Sequence, residues 1–75
     1  MSIEVLATIQ GSQIQILNLN EQIVGEGTLT AYKESTNQTT YSFDDGRTVV
    51  MEGEHLVQIS GGECFKVKPI YKDSD

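Results

Sequence analysis

Residues 23–33 read IVGEGTLTAYK, and the way this stretch folds governs the rest of the chain. Ile23, Val24, Leu29 and Tyr32 give it the β-branched and aromatic content of a strand, while Gly25 and Gly27 lie inside it. A glycine within a strand leaves one face bare and permits backbone angles that other residues avoid, so it marks a bulge or a sharp bend. A long strand bent at two glycines predicts a sheet that curls on itself.

The flanking segments supply the partners of that strand. On the N-terminal side, Ile14 and Ile16 alternate with Gln13, Gln15 and Asn18, and Asn20-Glu21-Gln22 has the composition of a turn. Ile3, Val5, Ala7 and Ile9 also alternate with Glu4, Leu6, Thr8 and Gln10, which predicts a strand over 2–9, with a short helix as the alternative. On the C-terminal side, Thr39, Tyr41 and Phe43 share one face of a strand. Asp44-Asp45-Gly46-Arg47 follows as a hairpin signal, because Asp-Gly tolerates positive φ. Thr48 to Met51, then Leu56, Val57 and Ile59, then Phe65, Val67 and Ile70 read as further strands, separated by Glu52-Gly53-Glu54 and Ser60-Gly61-Gly62-Glu63. Short strands at this spacing predict an all-β protein, a small barrel of a single domain over residues 1–75.

Composition narrows the function. The chain has 75 residues, a net charge of −6 and one cysteine, Cys64, so no internal disulfide can form. A domain this small buries about 60% of its unfolded surface and gains much from oligomerisation. Nine acidic groups in residues 1–63 face only Lys33 and Arg47, whereas Lys66, Lys68 and Lys72 cluster near the end with Tyr71. An acidic body repels phosphate backbones, so nonspecific nucleic-acid binding is not expected of it. No apolar run approaches the roughly 20 residues of a membrane span, and Met-Ser-Ile-Glu lacks the features of an export signal. With the single cysteine, this gives a cytoplasmic expectation. His55 and Cys64 are the only candidates for nucleophile–base chemistry and find no third member, so no catalysis, metal or cofactor is expected. Asp44, Asp45, Glu52 and Glu54 are read as solvated hairpin charges rather than a cation site.

Two stretches resemble the motifs of the Sm-like family. Gly27, Leu29, Tyr32 and Asn37 fall, without gaps, on the glycine, leucine, aromatic and asparagine of the first motif, with Lys33 at the place of its aspartate. Val49, Val50, Met51, Gly53, Leu56, Val57 and Ile59 match the second motif, with Glu52 in place of its arginine and His55 in place of its asparagine or serine. The resemblance covers residues 13–60. It implies a strongly bent five-stranded antiparallel Sm-like (SH3-like) barrel and a homo-oligomeric ring of about five to seven subunits. Residues 47–52 and 55–60 would supply the two joined edges, with Val49, Val50, Met51, Leu56, Val57 and Ile59 at the ring interface. It also implies single-stranded RNA as a partner, held near Asn37, Ser35 and Gly53. Ser35 and Glu52 stand where the family sandwiches a base, so the uridine pocket is altered. Lys33 and Glu52 are expected to bridge the two loops as an ion pair of reversed polarity. The alternatives are a monomeric SH3-like protein-interaction module and an acidic inhibitor that imitates nucleic acid.

Overall fold

The computed structural model describes residues 2–69. They form α1 (Ser2–Ile9), β1 (Gln13–Leu17), β2 (Ile23–Ser35), β3 (Gln38–Phe43), β4 (Thr48–Glu52), β5 (His55–Ile59) and β6 (Cys64–Val67). The strands make one antiparallel sheet in the order β4-β3-β2-β1-β5-β6. Among the described residues, β4 and β6 do not bond to each other, so the sheet stays open. It has six strands where the resemblance implied five, because β6 adds to β5. Phe65 and Val67 lie in that last strand as read, and Ile70 lies outside the described residues.

The glycines of β2 do what their position predicts. Residues 23–28 of β2 pair with β1 and residues 29–35 with β3, so one strand serves two parts of the sheet. At the division Gly27 has φ 154°, and the ladder to β3 slips between Leu29 and Ala31. The bend folds the first half of β2 over the inner face of the second hairpin. A Cβ at Gly25 would lie 2.6 Å from Cγ2 of Val49, and one at Gly27 would lie 3.0 Å from the ring of Phe43.

The link from β4 to β5 completes the curl. Only Gly53 and Glu54 separate these strands, although β4 is an edge and β5 is fifth in the order. Three peptide steps from Glu52 to His55 span at most about 10 Å. The sheet must therefore bring β5 back beside the end of β4. Gly53, at φ 71°, makes the required corner. The turn is as tight as its sequence predicts, but the strands it joins do not pair.

Residues 2–9 form a helix and not a strand, which corrects the period-two reading. Leu6 and Ile9 are both buried while Ala7 and Thr8 between them are exposed. A spacing of three with exposed residues between is one face of a helix, and the sheet's open interior rewards that face. Gly11, at φ 91°, ends the helix; its N–H donates to the Leu29 carbonyl at 2.7 Å, and Leu29 N–H donates to Ser12 at 3.0 Å. The helix end is thus tied to the bend in β2. The interior it covers holds Ile14, Ile16, Leu29, Tyr41, Phe43, Val57 and Val67. Each of these large side chains contributes about 1.5–3 kcal/mol by leaving water.

Candidate functional site

Asn37 and Gly53 bring together the two stretches that carry the motif resemblance. Thr36 and Asn37 form the two-residue turn between β2 and β3, with Asn37 at φ 59°, a left-handed geometry that asparagine tolerates better than most residues. Gly53 N–H donates to the Asn37 carbonyl at 2.9 Å. Ser35 opposes Gln38, Gln38 opposes Glu52, and the Gln38 Nε2 amide donates to Glu52 Oε2 at 3.2 Å. Ser35, Asn37, Glu52 and Gly53 therefore meet at one end of the sheet, with the first three exposed and Gly53 half-buried.

Lys33 is not joined to Glu52. Lys33 opposes Thr40, and Thr40 opposes Val50, so β3 runs between the two charged residues and they lie in different cross-strand rows. Ion pairs among the described residues include Asp45 with Arg47 at 2.6 Å, and Glu54 with Lys66 at 3.8 Å and Lys68 at 3.9 Å. The expected bridge is replaced by the Gln38–Glu52 hydrogen bond, because an antiparallel ladder places Gln38 directly across from Glu52.

Sequence reasoning missed what holds this end in place. His55 is fully buried, the first residue of β5. Its Nδ1 lies 2.9 Å from the Gly53 carbonyl, which can only accept, so Nδ1 carries the proton and donates. Nε2 is then an acceptor, and the Tyr41 hydroxyl donates to it at 2.6 Å. The rings meet edge to face, with centroids 5.6 Å apart and planes at 89°. A continuous series of bonds thus runs from Tyr41 in the core through His55 and Gly53 to Asn37 at the surface. The legible signal was the position of His55, two residues after a corner glycine and in phase with Val57. Its buried neighbours were not legible.

Burial holds His55 below its ordinary value of 6.5, partly offset by the bond to Gly53. Burial, reinforced by the carboxylate of Glu34, raises the Tyr41 hydroxyl far above its ordinary range. The imidazole is therefore neutral in the fold, while the unfolded chain takes up a proton near pH 6.5. The stabilisation from a neutral His55 is complete above that pH and declines as pH falls toward the folded value. We expect the melting temperature to drop between pH 7.5 and pH 5, and to drop less over the same interval in His55→Gln, which starts lower. An equal slope in both proteins would remove His55 as the cause.

The residues expected at a ring interface divide sharply. Val57 is fully buried, and Val49, Met51 and Ile59 pack against the core, while Leu56 is half-buried between Leu17 and Lys66. Only Val50, 53% exposed, is open on the outer face. Of the two expected edges, β4 has one side open among the described residues. β5 has none, since β1 takes one side and β6 the other. Cys64 is exposed on β6, away from His55 in the interior. Among the described residues no group of three His, Cys, Asp or Glu side chains is placed to hold a metal, and no helix is long and apolar enough to cross a membrane. A half-open cleft of about 370 Å³ lies at the opposite end of the sheet from Asn37, between Gln13, Gln15, Glu26, Arg47 and Ser60. Arg47 spans it, donating through Nη2 to the Glu26 carbonyl at 2.8 Å and through Nε to Asp45.

Neither a protein-family model, nor a curated protein, nor a solved structure matches the chain.

Proposed function

We propose that the protein is a subunit of an Sm-like homo-oligomeric ring, a scaffold that presents the Asn37 loop for binding single-stranded RNA through a modified pocket. The hydrogen bond between Gly53 and Asn37 carries this reading, since it joins the two motif-bearing stretches at one end of the sheet. Two further features support it. A helix precedes the first strand, where the family has one, and the glycine of the first motif sits at the bend of β2. The pocket differs in chemistry. Ser35 offers a hydroxyl where a stacking side chain stands in the family, and Glu52 presents a carboxylate toward the same end. Stacking contributes about 1–3 kcal/mol per base in single-strand recognition, and a carboxylate repels phosphate, so affinity for uridine-rich RNA is weak.

Light scattering on nuclease-treated protein tests the assembly, and fluorescence anisotropy with a uridine-rich oligonucleotide tests the pocket. The expected result is a mass of several 8.3 kDa subunits that persists on dilution. Weak RNA binding is expected to strengthen about tenfold in Ser35→Tyr, which restores a stacking ring, and to be lost in Asn37→Ala. Binding indifferent to both substitutions would remove the RNA reading. A monomer would support the second reading, a stand-alone SH3-like interaction module, which one observation favours: β6 covers the edge of β5 within the chain itself.

A further inference from the structure

We propose that copies of this chain join β4 of one to β6 of the next, so that β6, and not β5, is the strand through which a ring closes. The inference rests on the ring reading above and changes the surface that builds it.

Both sides of β5 are used inside the chain. Leu17 to Ile14 of β1 oppose Leu56 to Ile59, and Val67 to Cys64 of β6 oppose His55 to Gln58. Freeing β5 would break the second ladder and expose Val67, which is fully buried. Among the described residues the sheet then ends at β4 on one side and β6 on the other.

The backbone groups that these edges offer follow from the ladders. Phe43 N–H donates to the Arg47 carbonyl, and bonded and non-bonded pairs alternate along an antiparallel ladder, so Val49 and Met51 bond to β3. Thr48, Val50 and Glu52 turn their N–H and C=O groups to the open side. Ile59 N–H donates to the Glu63 carbonyl, so by the same alternation Phe65 and Val67 bond to β5 while Cys64 and Lys66 face out. Each edge presents a row of backbone donors and acceptors, which is a template for another strand.

Charge and shape select which strand. The β4 edge carries the exposed Glu52 beside Val50; the β6 edge carries the exposed Lys66, followed by Lys68. Lys66 reaches Glu54 only at 3.8 Å and remains largely exposed, an arrangement worth little in water. A β6 strand laid antiparallel along β4 sets the aliphatic stem of Lys66 over Val50 and its ammonium beside Glu52. Pairing β6 with a second β6 would instead set lysines against lysines. Joining two different edges is a head-to-tail contact, which closes into a ring when the rotation permits.

Light scattering across a dilution series, with circular dichroism to confirm folding, tests the contact in wild type, Lys66→Pro, Glu52→Lys, Lys66→Glu and the double variant Glu52→Lys/Lys66→Glu. Proline at 66 removes an N–H that points away from β5, so the internal ladder is kept while the open edge is blocked. We expect a multi-subunit wild type, a monomer for Lys66→Pro, dissociation at about tenfold higher concentration for each charge variant, and recovery in the double variant. The charge variants decide the matter even where the proline disturbs folding. A multi-subunit wild type whose mass is untouched by any of these changes would overturn the β4–β6 contact and leave the ring standing. A monomeric wild type would overturn both.

Discussion

Replacing Gly27 with valine unfolds the protein. Gly27 sits at φ 154°, which is costly for a β-branched residue, and an added Cβ would press to 3.0 Å against the Phe43 ring. Backbone strain of this kind costs about 1–3 kcal/mol, and overpacking a filled interior about 1–3 kcal/mol more. A 75-residue domain has little more than about 5 kcal/mol to lose. Phe43 cannot retreat, since it lies in the buried cluster with Leu29 and Tyr41. We expect Gly27→Val to lose its sheet signal in circular dichroism and the dispersion of its amide resonances. Gly62→Ala, where the new Cβ meets Ile59 at an ordinary 3.4 Å and φ is not left-handed, keeps both. A folded Gly27→Val with an unchanged melting curve would show that β2 can bend without a bare position at 27.

Tyr41→Ala is the second change expected to exceed the protein's reserve. Tyr41 is fully buried, and its removal opens a cavity that costs about 3–5 kcal/mol. It also strips the Nε2 of His55 of its donor, leaving a buried acceptor unpaired at about 1–3 kcal/mol. Tyr41→Phe separates the two effects, because the ring stays and only the hydroxyl goes. We expect Tyr41→Ala to be unfolded in the absence of denaturant, and Tyr41→Phe to be folded, with a lower urea midpoint. Amide exchange at Gly53 is expected to quicken in Tyr41→Phe, because His55 then holds the Gly53 carbonyl less firmly. If Tyr41→Phe matched wild type in both measurements, the bonds from core to loop would have no part in positioning Asn37.

Particular residues show why some of this was legible in the sequence. Alternation along β3 put Thr39, Tyr41 and Phe43 inside, because a strand packed on one face carries period two whatever its surroundings. Gly25 and Gly27 announced the bend, because the steric permission they supply is local. The N-terminal segment misled, since Ile3, Val5, Ala7 and Ile9 imitate a strand and eight residues are too few for periodicity to arbitrate. What decided it was tertiary: an open interior that Leu6 and Ile9 fill from above.

At the candidate site, Asn37, Ser35, Glu52 and Gly53 meet at one end of the sheet, a proximity that the motif resemblance implied and the pattern of residues alone did not. The separation of Lys33 from Glu52 was not legible, because it depends on which residues oppose one another across β3. The covering of β5 by β6 was half legible. Phe65 and Val67 read as a strand, but nothing in their pattern says which neighbour they join.

The pairing of β1 with β5 has a kinetic meaning. The links from β2 to β3 and from β3 to β4 are short turns, so those strands find one another locally. Ile14 and Ile59, by contrast, stand near opposite ends of the chain. Closing that long loop takes about four doublings of length beyond a hairpin, roughly 2 kcal/mol of additional chain entropy. The β2–β3–β4 meander can assemble before this loss is met, while β1 and the β5–β6 hairpin must await each other. Until they dock, Ile16 and Val57 face water, and it is in this interval that a nascent chain is most exposed to association with the wrong neighbour.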